Sequence, residues 1–208
     1  KHRPVRRLPH TGRALPFELG RQALAMRGTV GVRVVPRHLR HGMVVFGASS
    51  AGALRAVECA PYGMRGVGRI YELFANGFEA EDELALGFDP ATGRAVSEAL
   101  LNVRFAVAAA QARGLVGELT AAALVAAAEG LFFAERTWRA IVETVRGDAG
   151  AVPGELVALR DWLDGNPAEA NQKGIDALAC LAEVKAYVDA AAALDGVAEA
   201  EGAPCADR

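Results

Sequence analysis

VVFGASSAGALRAVECA, residues 44–60, changes character twice, and its reading decides the fold. Val44, Val45 and Phe46 form a short β-branched and aromatic run that reads as a buried strand. Gly47, Ala48, Ser49, Ser50, Ala51 and Gly52 are all small, so the backbone can turn sharply and approach a ligand without side-chain collision. ALRAVECA then carries helix formers at amphipathic spacing, with Leu54 and Val57 inward and Ala53 and Ala60 beside them. The stretch predicts a strand, a tight serine turn and a helix N-terminus.

The first N–H groups of a helix lack internal acceptors and carry partial positive charge, so they can hold an oxyanion. A serine at that point can attack while those donors stabilise what forms. The G-x-S-x-G elbow uses the same arrangement. Its nearest register here is Ala48-Ser49-Ser50-Ala51-Gly52, with alanine in the first glycine position. Small residues around two serines also make an ordinary N-cap and turn, and both readings stay open on these residues alone.

The chain has 208 residues, 52% of them hydrophobic and 23% charged, which suits one globular domain with a sizeable core. Its alanine-rich stretches are interrupted by charge, and none approaches the ~18 apolar residues of a membrane span. Cys59, Cys180 and Cys205 lie far apart with no C-x-x-C, which argues against a disulfide framework or a zinc site and fits the reducing cytoplasm. Residues 1–41 hold ten Lys or Arg against one acid, Glu18, and contain all four histidines. Such a basic head can be a solvated arm, a contact for an acidic partner or nucleic acid, or a transit-type segment.

TVGVRVV alternates well enough for a strand over Thr29–Val35, ended by Pro36 and able to pair beside Val44. Residues 61–77 read as a glycine-punctuated loop entering a short helix near Ile70, Leu73 and Phe74, closed by Gly77. Glu79, Glu81, Asp82 and Glu83 form an acidic cluster, read as a solvated or helix-starting face in preference to a divalent-metal site. Residues 97–114 read as a helix capped by Ser97 and ended by Gly114, with Asn102 and Arg104 as polar insertions between apolar neighbours, either able to point outward. From 118 onward four helices are expected and no strand, with Trp138 and Trp162 packing between helices. Residues 197–208 read as a frayed tail.

In order along the chain, VFGASSAGALRAVECAPYGMRGVGRIYELFANG, EDELAL, SEALLNVR, FFAERTW and QKGIDAL resemble the TfuA-like family, over roughly residues 42–182. The resemblance implies an α/β fold that is not a common superfold: a small sheet with the serine turn in the first half and a mostly helical second half. It divides the chain into a basic arm or partial strand region over 1–38, a TfuA-like domain over 39–196 and a disordered tail over 197–208. TfuA-like proteins accompany YcaO-type ATP-dependent enzymes in peptide backbone thioamidation. The implied activity is hydrolysis of the thiocarboxylated C-terminus of a ThiS-like sulfur carrier, releasing sulfide.

The family pattern G-A-A-S-M-G-A-L-R-A falls on Gly47 to Ala56, so its serine is Ser50, and Ser49 stands where the family has alanine. The serine-lysine chemistry implied by the resemblance falls on Lys173, in QKGIDAL, with Asp176 on the same helical face to orient its ammonium. Serine needs a base near neutral pH, and a desolvated lysine can serve. Gly47, Ser49, Ala51, Gly52, Arg55, Glu58 and Arg104 complete the expected substrate and oxyanion lining. The chain departs from the family at Val32-Arg33, where a lysine is expected, and arginine cannot be a base. The expected partners are a YcaO-type enzyme, a ThiS-like carrier and a precursor peptide, with a homodimer left open and neither nucleic acid nor membrane involved. No cofactor or metal is expected. A non-catalytic adaptor docking on YcaO is the alternative, and a general serine hydrolase is a third.

Overall fold

The computed structural model describes residues 17–19, 23–25, 39, 43–147 and 150–201. Its first half is a four-stranded sheet in the order β1 (Phe17–Leu19), β2 (Ala23–Ala25), β3 (Val44–Ala48) and β4 (Arg65–Val67). β1 pairs antiparallel with β2, while β2, β3 and β4 run parallel, with Ala23 opposite Val44 and Ala48 opposite Val67. Thr29–Val35 lies outside the described residues, and the strands paired to β3 are β2 and β4. β4 was not expected: Arg65-Gly66-Val67 is too short to show alternation, and only its pairing to β3 makes it a strand.

Helix α1 (Ala51–Cys59) follows β3 and buries Ala53, Ala56 and Cys59. The inward stripe is therefore small residues. Leu54 and Val57 flank it half-buried, and Ala60, expected inward, is exposed at the start of a 3-10 turn. The cause is close packing: a Cβ on Gly47 would stand 2.2 Å from the Gly52 carbonyl oxygen and 3.1 Å from the Ala56 Cβ. A short helix over Arg69–Ala75, α2, follows β4 and ends where expected, at Gly77 with φ 93°.

The second half is helical: α3 (Leu100–Ala112), α4 (Glu118–Gly130), α5 (Trp138–Val145), α6 (Pro153–Gly165) and α7 (Gln172–Glu201). Helices α3 to α6 share one core around Val103, Leu124, Ile141 and Leu159, with Trp138 and Trp162 packed against it as expected. The 30-residue α7 returns to pack on β3, β4, α2 and α3, so it joins the sheet to the helical half. Its last turns enter the stretch read as a tail, and residues 202–208 lie outside the described residues.

Ser97 does not cap α3, whose N-cap is Ala99. It is buried, and its Oγ accepts the Gly87 N–H at 2.7 Å, pinning the segment bridged at Phe88 and Ala95. Asn102, whose orientation the sequence left open, is buried. Among the described residues no helix is long and apolar enough to cross a membrane.

Candidate functional site

β3 ends at Ala48, and the Ser50 N–H donates back to the Ala48 carbonyl at 2.9 Å. That bond closes a three-residue turn around Ser49, whose φ of 73° is the only positive value at a non-glycine among the described residues. A γ-turn with positive central φ is rare and strained, at a cost of about 1–3 kcal/mol. Ser50 is the N-cap of α1, and its carbonyl accepts the N–H groups of Ala53 at 2.9 Å and Leu54 at 3.3 Å. Its side chain makes no capping bond, so the N–H groups of Ala51 and Gly52 keep the donors that the first turn of a helix cannot satisfy internally. Ser49 and Ser50 are both half-buried at this turn.

Two of the expected lining residues have a packing role. Gly47 is required for the approach of α1 to β3. Arg104, expected to line the site, grips Glu83 through two bonds of 2.8 Å and Glu129 through one of 2.6 Å. This is also the fate of the acidic cluster: Glu83 turns inward to Arg104, while Glu81 and Asp82 stay exposed. No group of three or more metal-binding side chains occurs among the described residues. Arg55 pairs with Glu58, and its enclosed Nε has no hydrogen-bond partner among the described residues, leaving one unused donor a turn from Ser50. Gly52 has space around it, its nearest neighbour to an added Cβ lying 3.8 Å away.

The parallel register sets the turn after β3 beside the turn after β4, since Ala48 faces Val67. At that second turn Asp176 of α7 accepts the N–H groups of Arg69 at 3.1 Å and Ile70 at 2.8 Å, with Gln172 Nε2 donating to it at 2.7 Å. Asp176 therefore does not orient Lys173. Its carboxylate caps α2 from another helix.

Lys173, one turn before Asp176, donates from Nζ to the Leu84 carbonyl at 3.0 Å. Burial pushes its ammonium down from the ordinary 10.5 to about 8, against the opposing attraction of Glu98. Burial in turn pushes the Glu98 carboxyl up, with Asn102 and Lys173 opposing. Asn102 fixes the start of α7: its Oδ1 accepts the Lys173 N–H at 3.0 Å and its Nδ2 donates to Asn171 at 2.9 Å. No hydrogen bond joins Lys173 to Ser49 or Ser50 among the described residues. Sequence reasoning missed Glu98, and the one signal for Asn102 was a polar residue inside an apolar helical stripe.

The family profile described as TfuA-like protein matches residues 25–137, more than half of the chain. The match includes the serine turn, Arg55 and Arg104, and ends before Lys173. No curated protein matches the chain. On the profile match the chain belongs to the TfuA-like family.

Proposed function

We propose that the chain is a hydrolase of the thiocarboxylated C-terminus of a ThiS-like carrier, supplying sulfide to a YcaO-type enzyme for backbone thioamidation of a precursor peptide. Ser50 attacks the thiocarboxyl carbon, the Ala51 and Gly52 N–H groups hold the oxyanion, and Lys173 takes the serine proton. Hydrogen sulfide leaves with the carbon–sulfur bond, and water hydrolyses the acyl-enzyme to a carboxylate. The observation that carries this reading is the buried Lys173 amine, which with a pKa of about 8 is neutral in an appreciable fraction of molecules near neutral pH. The scheme requires that amine to leave the Leu84 carbonyl and reach Ser50, directly or through one water.

One observation favours the second reading, a non-catalytic adaptor for YcaO: the Lys173 amine is bonded to Leu84 and not to a serine. Sulfide release from thiocarboxylated carrier tests both. Release lost in Ser50→Ala and Lys173→Met supports the hydrolase. Release unchanged in Ser50→Ala ends the serine proposal, and no release by wild type, with YcaO still stimulated, supports the adaptor.

A further inference from the structure

Between α1 and α2 lies an open trough of about 340 Å³, floored by Leu54, Val57, Phe74 and Phe78. Phe74 and Phe78 meet edge to face with ring centroids 5.4 Å apart, so the floor is a fixed apolar surface. The same lining carries three carboxylates, Glu58 of α1 and Glu79 and Glu81 of the segment after α2. Glu58 is held by Arg55. Glu79 and Glu81 are exposed and enter no ion pair among the described residues.

We propose that this trough docks a segment of a partner protein that inserts one or two aliphatic side chains flanked by lysine or arginine. At about 340 Å³ the trough lies at the lower end of the roughly 300–1,000 Å³ of small-molecule pockets, room enough for one or two anchoring side chains. The carboxylates repel an anionic ligand and attract cationic flanks, which fixes the sign of the partner segment. The trough also lies next to the serine turn. Leu54 follows Ser50 by one turn, and its N–H donates to the Ser50 carbonyl at 3.3 Å, so the floor begins ~6 Å along the α1 axis from the serine. A segment seated there holds its protein against the mouth of the site, whether or not Ser50 reacts.

The test titrates the full chain with a labelled short peptide carrying two leucines flanked by lysines, alongside its twin with glutamates for lysines. The lysine peptide is expected to bind saturably, to shift the methyl resonances of Leu54 and Val57, and to weaken with added salt. The combined Glu79→Lys and Glu81→Lys variant, altered only at exposed positions, is expected to bind it about tenfold more weakly. The proposal is overturned by no binding of the lysine peptide, equal binding of the twin, methyl shifts elsewhere, or an unchanged affinity in the double variant. Self-association of the chain alone that disappears in the double variant also overturns it, by assigning the trough to a second copy.

Discussion

Asp176 accepts the backbone N–H of Ile70 at 2.8 Å across 106 residues of chain, and this bond, with its partner to Arg69, ties the long α7 to the start of α2. The carboxylate is almost fully enclosed. Asp176→Ala leaves two helix-terminal donors and the Gln172 amide without their acceptor, at an expected cost of about 2–4 kcal/mol. Asp176→Asn keeps one acceptor oxygen and is expected to lose less. Urea unfolding of the two variants checks the order, and equal losses would show that the charge, not the cap, matters.

Gly68 and Gly77 share a left-handed backbone, with φ of 96° and 93°, but differ in space. A Cβ on Gly68 would meet the Asp176 Cγ at 2.3 Å, whereas nothing lies within 4 Å of one on Gly77. Gly77→Ala is expected to cost about 1 kcal/mol, from backbone strain alone. Gly68→Ala adds displacement of the buried cap and is expected to cost at least ~2 kcal/mol more. Thermal unfolding of the pair separates conformational strain from collision.

The elements that could be read from the sequence are those whose reasons are local. Val44 to Cys59 shows a strand, a turn and a helix in its own composition, and the helices after residue 118 carry their own stops. The errors fall where a distant residue decides. Ser97 looks like a cap, but Gly87 claims its hydroxyl. Asp176 looks like a partner for Lys173 until the start of α2 arrives. β4 is a strand only because β3 is beside it. In the candidate site, the place of Ser50 at the start of α1 was legible, while the bond from Lys173 to Leu84 depends on a fold-wide approach that no spacing encodes.

Ser49 holds φ of 73° where β3 gives way to α1, and glycine adopts that conformation without a Cβ penalty. Ser49→Gly is expected to raise stability by up to ~1 kcal/mol, the relieved strain being offset in part by the entropy glycine gains on unfolding. Its Tm should therefore equal or exceed that of wild type. A fall would mean that the Ser49 side chain itself holds the turn.

Burial lowers the Lys173 pKa from 10.5 to about 8, and this couples stability to pH with a definite sign. Well below pH 8 the folded and unfolded chains both carry the proton, so the contribution of the lysine is flat there. Between pH 8 and 10.5 the folded chain has released a proton that the unfolded chain keeps, so stability rises with pH through that window. At ~1.4 kcal/mol per pKa unit the full rise is about 3 kcal/mol. Lys173→Met preserves the apolar stem and removes the titration, so its stability relative to wild type is expected to fall steadily from pH 8 to pH 10. Urea unfolding of both proteins at pH 7, 8.5 and 10 reads this difference, with Glu98 the one described group whose own shift depends on Lys173. If the amine is also the base for Ser50, sulfide release by wild type rises with the same ionisation, toward a plateau above pH 8. Parallel stability curves would place the Lys173 amine in solvent and remove it as the base.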